Sequence, residues 1–163
     1  MSPFSLPARD LERSELETLV NRLAEQPEQW RELVAFPNGA RHFVSLHRDD
    51  FIDIWLLCWT PDDDTGWHDH DISSGAVRVV EGALAESSPR LGGEAVLREI
   101  PAGETFSFGA DHIHSLSGRA LRSVSIHAYS PPLWRLGQYW VDEHGVMRRV
   151  SISYAEELRP VAA

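Results

Sequence analysis

From Arg41 onward, the sequence consists of short runs that are typical of β-strands, separated by turns rich in proline, glycine and aspartate. The predicted strands cover residues 42–47, 51–59, 75–80, 83–87, 94–99, 105–108, 121–129, 138–142 and 146–153. So many short strands favour a closed or double-sheet β architecture, because such an arrangement leaves few exposed strand edges. The pattern therefore predicts an all-β body.

The chain before Arg41 has a helical pattern instead. The apolar residues that recur on one helical face are Leu16, Leu19, Val20 and Leu23. Ser14 and Glu17 have the spacing of a capping box at the start of this helix, and Pro27 with Trp30 indicates a second short helix. With 163 residues, 42% of them hydrophobic, we expect one domain over 1–163, made of a helical cap over 1–40 and a β-barrel over 41–163.

Composition narrows the function classes. The chain has 15 basic and 25 acidic residues, a net charge of -10, and no basic run that could follow a phosphate backbone, so nucleic acid is not an expected partner. No apolar stretch reaches membrane-spanning length and the N-terminus has no signal-peptide pattern, which predicts a cytoplasmic protein that does not bind membranes. The single cysteine, Cys58, lies in an apolar run and is expected in the core.

Two histidine pairs carry the chemistry of the sequence: His68-Asp69-His70 and His112-Ile113-His114. Residues i and i+2 of a strand point to the same face, so His68 and His70 can present both imidazoles to one point while Asp69 points away. The same holds for His112 and His114 if their segment is extended. The two pairs therefore predict a three-histidine metal site.

The spacing around these pairs resembles the two-part signature of the cupin superfamily. Gly75 and Gly82 follow the first pair, and Pro101-x-Gly103 opens the segment that ends in the second pair. This resemblance implies a small cupin β-barrel of the jelly-roll type, which holds a metal on histidines from both segments.

A narrower resemblance is to the cysteine dioxygenase family of thiol dioxygenases. It is carried by residues 66–76, by the Gly82-x-Leu84-x-Glu86 hairpin and by residues 125–132, and it extends from about Arg41 to Tyr154. The resemblance implies that Fe(II) is bound by three neutral histidines, His68, His70 and His114. It also implies a catalytic row of Ser125, His127 and Tyr129. His114 fits the family register better than His112, which we expect to be a neighbour of the ligands or a surface residue.

The resemblance implies that both atoms of O2 are added to a small-molecule thiol to give a sulfinate. Gly75 stands where many cupins add a glutamate ligand, which leaves a metal with three neutral ligands and open positions for thiol and O2. The alternatives are a non-catalytic metal- or ligand-binding cupin and another metal-dependent cupin enzyme, such as a zinc or manganese isomerase.

The sequence departs from the family where cysteine-using members carry an arginine that binds the substrate carboxylate. The matching position is Phe43 or Ser45, and neither can pair with a carboxylate as arginine does. Arg78, which follows Gly75, is a further candidate substrate-binding residue. We therefore expect a thiol other than free cysteine, such as a mercapto acid, a thiol-bearing imidazole or a larger thiol.

Overall fold

The computed structural model describes residues 5–153. These begin with helix α1 (Arg13–Ala24) and two short 3₁₀ helices (Pro27–Gln29 and Arg31–Leu33). The strands are β1 (His42–Arg48), β2 (Asp53–Trp59), β3 (His68–Asp69), β4 (Ser74–Glu81), β5 (Ala83–Ser88), β6 (Val96–Pro101), β7 (Thr105–Phe108), β8 (Ser115–Gly118), β9 (Ser123–Ser130), β10 (Arg135–Val141) and β11 (Met147–Ser153). The predicted all-β body with an N-terminal helical cap is confirmed.

The strands form three antiparallel sheets that enclose one interior. One sheet has the order β1-β2-β9-β4-β7, and the two smaller sheets have the orders β6-β5-β8 and β11-β10-β3. Apolar residues of all three sheets pack together in a single buried cluster, which places the small sheets over one face of the large one. In the part of the chain described, the hydrogen-bonded ladders do not run continuously around a barrel, so the architecture is a double-sheet jelly roll.

Strand β9 shows how the large sheet divides its two faces. Alternate residues of a strand point to opposite sides. The residues that pack in the cluster beneath α1 are Val124, Ile126 and Ala128, together with Cys58 of β2. The opposite face of β9, which lies against the small sheets, carries Ser125, His127 and Tyr129. The helix therefore covers one side of the sheet and leaves the other side for a polar site.

Helix α1 starts earlier than the capping motif predicted. The backbone N–H of Glu12 donates to the Glu15 carboxylate at 2.9 Å, so the box lies at Glu12 and Glu15 rather than at Ser14 and Glu17. Glu17 instead accepts a hydrogen bond from Ser107 of β7. Glu17, which the sequence spacing assigned to the capping box, therefore holds the helix against the sheet.

The predicted second helix is a pair of three-residue 3₁₀ turns. Trp30 lies between them, is buried, and donates its indole N–H to the carbonyl oxygen of Leu23 at 3.0 Å. A helix of only a few residues gains little stability from its own hydrogen bonds. This segment is held instead by the contact of Trp30 with the end of α1. No helix among residues 5–153 is long and apolar enough to cross a membrane.

Candidate metal centre

Three histidines meet at one buried point of the interior. His68 belongs to β3, His70 follows that strand, and His114 immediately precedes β8. Their ring centroids lie 4.8 Å (His68 to His70), 4.8 Å (His68 to His114) and 5.0 Å (His70 to His114) apart. One ligand nitrogen of each lies within 4.8 Å of the others, so the group could hold a metal ion. Both histidine motifs thus contribute to the same site.

The backbone brings the two motifs together directly. The N–H of His68 donates to the His114 carbonyl oxygen at 2.9 Å, and the N–H of His114 donates to the His68 carbonyl oxygen at 3.0 Å. This pairing is an isolated antiparallel bridge that joins β3 to the segment before β8. The relative position of two ligands is therefore set by main-chain hydrogen bonds and does not depend on a metal.

Asp69 points away from the histidines, as alternation on a strand predicts, and it anchors β3 to the β10–β11 hairpin. Its carboxylate accepts hydrogen bonds from the Gly137 N–H at 2.9 Å, the Tyr139 hydroxyl at 2.5 Å and the Arg149 guanidinium at 2.9 and 3.0 Å. Burial alone would raise the pKa of Asp69, but these donors hold it well below its usual value. Asp69 therefore stays charged, and paired with Arg149, at pH values where an ordinary aspartate would already be protonated.

Hydrogen bonding fixes which nitrogen of two histidines carries the proton. Nδ1 of His68 lies 3.0 Å from the Gly66 carbonyl oxygen, and Nδ1 of His114 lies 2.8 Å from a carboxylate oxygen of Glu86. Both oxygens can only accept, since a carbonyl and an ionised carboxylate have no hydrogen to donate, so both histidines are protonated at Nδ1. In the neutral form of each ring, Nε2 then carries the lone pair that a metal ligand needs.

The residues present fit a metal by a second criterion. In residues 5–153, both ring nitrogens of His70 and Nε2 of His114 are buried without a hydrogen-bond partner. Buried polar atoms are rarely left this way, and a bound cation is one of the groups that satisfies them. Burial lowers the pKa of His114 to about 4 and that of His70 well below its usual value, so both rings are neutral near pH 7, as metal ligands must be.

Ser125, His127 and Tyr129 form a connected row on β9 beside these ligands. Trp59 donates its indole N–H to Ser125 Oγ at 2.9 Å, Ser125 Oγ lies 2.8 Å from His127 Nε2, and His127 Nδ1 lies 3.1 Å from the Tyr129 hydroxyl. Among the hydrogen bonds of the described residues, His127 Nε2 is the only acceptor for the Ser125 hydroxyl. His127 therefore donates from Nδ1 to Tyr129, and the phenol directs its own hydrogen to a different acceptor.

The electrostatics of His127 agree with this direction of hydrogen bonding. Burial lowers its pKa to about 3, and the positive charge of Arg41 acts in the same sense. The Arg41 guanidinium lies over the Trp59 ring at 5.1 Å, and that ring stacks on His127 with centroids 6.2 Å apart. His127 is thus neutral over the physiological pH range and keeps one donor and one acceptor nitrogen.

His68, His70, His127 and Tyr129 face a common cavity of about 20 Å³, which has room for about one water-sized molecule. Its lining consists of Leu57, Trp59, Thr65, His68, His70, Leu116, His127, Tyr129, Leu133 and Leu136. Four of the ten lining residues are leucines, and none of the described residues in the lining has a cationic side chain. The cavity is therefore suited to exclude water from a buried reaction.

The three predicted substrate-binding residues lie apart from this cavity. Phe43 and Ser45 pair with Leu57 and Trp55 across β1 and β2, so they lie on the cavity side of the sheet, but both are exposed on its edge strand. Phe43 packs on Trp55 with ring centroids 5.9 Å apart. Arg78 points to the opposite side, where it donates to the Gly103 carbonyl oxygen and to Thr105 Oγ1. The structure does not bring Arg78 to the histidines.

His112 and Glu86 occupy a position behind the ligands. Nε2 of His112 lies 3.2 Å from the Glu86 oxygen that His114 also approaches, and the other Glu86 oxygen lies 3.0 Å from Arg98. Burial alone would raise the pKa of Glu86, but these donors hold it well below its usual value. Glu86 was not among the predicted site residues, although a glutamate directly after Leu84 and Ala85 in a predicted strand was a signal that it has a buried partner.

Gly75 lies where Phe108 and Tyr129 cross over β4. A Cβ at this position would lie 2.5 Å from Cε2 of Phe108 and 3.0 Å from Cδ1 of Tyr129, which no side chain can tolerate without displacing them. Phe108 in turn stacks on His70 with ring centroids 4.5 Å apart. The structure therefore offers no space for a carboxylate ligand at Gly75, in agreement with a site of three histidines.

Comparison with known proteins identifies the relatives of this arrangement. Residues 8–142 match the family model for cysteine dioxygenase type I. Among solved structures, the fold is similar to a protein with a double-stranded β-helix domain from Klebsiella pneumoniae (13% identity, TM-score 0.54, 62% of this chain and 80% of that chain). It is also similar to a cupin superfamily protein from Desulfitobacterium hafniense (11% identity, TM-score 0.54, 63% of this chain and 87% of that chain). A third similar structure is a protein from Bacillus halodurans (18% identity, TM-score 0.53, 77% of this chain and 84% of that chain). These structures establish the cupin fold, and the family match covers most of the chain.

Proposed function

Because this chain belongs to the cysteine dioxygenase type I family, we propose that it is an Fe(II)-dependent thiol dioxygenase whose substrate is a small-molecule thiol. The reaction adds both atoms of O2 to the sulfur of R–SH and yields R–SO2⁻ and a proton. The sulfur loses four electrons and O2 gains four, so no external reductant is needed. Iron, when bound, would lower the pKa of a coordinated thiol and provide the place where O2 is reduced.

The observation that carries this proposal is that His68, His70 and His114 meet at one point. They do so beside a cavity that His68, His70, His127 and Tyr129 line together. His68, His70 and His114 are the proposed ligands. Three protein ligands leave coordination positions open, which a structural metal site does not. Since none of the three is anionic, the metal would retain its full positive charge toward an incoming thiol.

Tyr129 is the proposed catalytic residue that contacts the reacting atoms. Its ring stacks on His70 with centroids 5.4 Å apart, and it lines the same cavity as His68 and His70. The phenol accepts from His127 and donates to oxygen atoms that become negative as the sulfur is oxidised. His127 and Ser125 fix the direction of that donation, because Trp59 starts the chain of hydrogen bonds from a rigid buried indole.

The cavity lining favours a thiol other than free cysteine. Cysteine carries an α-ammonium and an α-carboxylate, and the described residues of the lining include neither an arginine for the carboxylate nor an acidic residue for the ammonium. A buried charge without a partner costs several kcal/mol, on the order of 2 to 5. A thiol with less charge near its sulfur, or one long enough to place its charge at the exposed edge near Phe43 and Ser45, meets no such penalty.

Oxygen consumption by the iron-loaded protein tests the proposal. We would measure it against a panel of cysteine, a mercapto acid, a thiol-bearing imidazole and a larger thiol, and follow sulfinate formation by mass spectrometry under ¹⁸O2. The expected result is two ¹⁸O atoms in the product of one panel member, with kcat/KM for cysteine at least about 100-fold lower, consistent with about 3 kcal/mol of unpaired charge.

The control is His114→Ala, which should consume no oxygen with any thiol. Stoichiometric zinc in the purified protein, together with inertness toward every thiol after iron loading, would favour a binding cupin or a different metal-dependent enzyme. Oxidation of cysteine as the best substrate of the panel would refute the choice of substrate and leave the reaction intact.

A further inference from the structure

Glu86 is a buried carboxylate that the proposed reaction does not use. It lies on β5, is 6% exposed, and faces His114 from the side of the ring opposite to Nε2. Its Oε2 atom lies 2.8 Å from His114 Nδ1, which is within the range of a strong charge-assisted hydrogen bond. The contact joins the Gly82-x-Leu84-x-Glu86 hairpin to the histidine segment that follows much later in the chain.

We infer that Glu86 is the positioning residue of the metal site, which holds His114 in the Nδ1-protonated form and aims its Nε2 at the metal. The inference rests on the metal site of the proposed function. A carboxylate that accepts from Nδ1 forces the lone pair onto Nε2 and makes the imidazole a stronger donor. Nε2 of His114 is the atom that is buried without a hydrogen-bond partner in the described residues.

The neighbours of Glu86 are arranged to keep its charge and its place. Arg98 pairs with Glu86 across β5 and β6 and approaches Oε1 at 3.0 Å, while His112 approaches Oε2 at 3.2 Å. The Arg98 guanidinium also lies over the Phe106 ring at 5.1 Å. With both oxygens held, the carboxylate cannot rotate away from His114 without breaking three contacts.

The backbone adds a second constraint on the same ligand. Glu86 pairs with Leu116 in the β5–β8 ladder, and β8 begins at the residue after His114. The imidazole is therefore held by its own main chain on one side and by the Glu86 carboxylate on the other. The Glu86 carboxylate thus places a negative charge one hydrogen bond away from a proposed metal ligand. Gly75 has no side chain, so that position supplies no carboxylate that could contact the metal directly.

The group Glu86, His112 and His114 can also be considered as a second metal site, because its ligand atoms lie within 4.8 Å of one another. The geometry argues against it. Arg98 already occupies one carboxylate oxygen at 3.0 Å, and a cation there would be repelled by the guanidinium. A second ion would also require His114 Nδ1 to lose the hydrogen that it donates to Glu86. The two interpretations differ in the number of metal ions bound per chain.

The test uses Glu86→Leu, which removes the acceptor and keeps a similar volume, and Glu86→Gln, which keeps a possible acceptor and removes the charge. The control is Glu99→Gln, an exposed position on β6 next to Arg98. Nitrogen-15 NMR of the metal-free proteins at pH 7.5 reports the protonated nitrogen of His114 without any metal or turnover. We expect only the Nδ1–H form in the wild type and in Glu99→Gln, and a substantial Nε2–H population in Glu86→Leu.

Chelator competition with Fe(II) and with Zn(II) provides the second measurement. We expect Kd to rise about 10- to 100-fold in both Glu86 variants and to stay unchanged in Glu99→Gln, with one metal per chain throughout. If Glu86→Leu does not fold, the affinity of Glu86→Gln decides the question alone. An Nε2–H form in the wild type, unchanged affinity in the Glu86 variants, or two metals per wild-type chain would overturn the inference. If the protein proves not to oxidise thiols, the NMR result would still stand, because it does not depend on turnover.

Discussion

His68 and His114 exchange two main-chain hydrogen bonds, 2.9 and 3.0 Å long, across an isolated bridge between two distant segments. Each residue thereby fixes the backbone of the other, and both side chains leave the bridge toward the same point. A metal would bind to ligands whose main chains are already in place, which reduces the ordering that binding requires. His112, two positions before His114, lies outside this bridge, and its Nε2 lies 3.2 Å from Glu86.

Replacing His114 by alanine should abolish metal retention, whereas His112→Gln should retain one metal per chain. His114 belongs to the three-histidine group, while His112 Nε2 lies 3.2 Å from Glu86 instead. We expect metal affinity to fall more than about 100-fold in His114→Ala, beyond the loss typical for residues that contact only a ligand. Metal content after dialysis of iron-loaded protein measures this. Equal metal loss in both variants would assign His112 to the ligands.

Tyr129→Phe should slow turnover and leave metal binding unchanged. Phenylalanine keeps the stacking on His70 but removes the hydroxyl that accepts from His127 Nδ1 at 3.1 Å. Loss of one donor to a developing oxyanion costs about 100- to 1000-fold in kcat. Steady-state kinetics on the best thiol, with iron content as the internal control, test this. A kcat within about threefold of wild type would restrict Tyr129 to packing.

The strand pattern of the sequence predicts most of the fold but misses the two strands next to the metal ligands. β3 has two residues and β8 has four, and both lie outside the predicted strands. A strand this short has no alternating apolar pattern of its own, so it is defined by its partner. β3 pairs with β10, and β8 pairs with β5, both far away in the chain. Such pairing follows from tertiary contacts that local sequence does not encode.

The sequence is informative about the site wherever two residues share one strand. Ser125, His127 and Tyr129 alternate on β9, and their hydrogen bonds follow that order. By contrast, the surroundings of Arg78 and Glu86 depend on whether their face of the strand is covered by α1 or by another sheet. Arg78 faces α1, where Asn21 lies within 3.5 Å, and Glu86 faces His114. One-dimensional spacing cannot distinguish the two faces of a buried strand, because both are covered by protein.

Gly75→Ala should destabilise the protein and disturb His70. The new Cβ would lie 2.5 Å from Phe108 Cε2, and this ring stacks on His70. Forcing an atom into a packed core costs about 1 to 3 kcal/mol, which urea denaturation measures. The matched control is Gly93→Ala, where a Cβ meets only the Arg90 side chain at 3.7 Å. In a Phe108→Leu background the cost of Gly75→Ala should shrink; equal costs in both backgrounds would contradict the proposed clash.

Arg149→Gln should loosen the anchoring of β3, whereas Arg148→Gln on the neighbouring position should not. Arg149 makes two hydrogen bonds to the largely buried Asp69 carboxylate, and Arg148 pairs with Asp142 on the surface. We expect a loss of about 2 kcal/mol of unfolding free energy for the first variant and less than about 1 kcal/mol for the second. Amide hydrogen exchange should show faster opening of Gly137 only in Arg149→Gln. Equal effects of the two substitutions would mean that Asp69 is held by its other donors.

The metal-free protein should lose stability as the pH falls below 6.5. Burial holds the pKa of His114 at about 4 and that of His127 at about 3, against about 6.5 in an unfolded chain. Below pH 6.5 the unfolded chain therefore binds protons that the folded protein cannot, and stability falls by up to about 1.4 kcal/mol per pH unit for each histidine. The pKa values of Asp69 and Glu86 are lowered, so these carboxylates reduce stability only below about pH 4.5. Urea denaturation between pH 7.5 and 5 tests this: His127→Gln should flatten the slope, and the exposed His144→Gln should not.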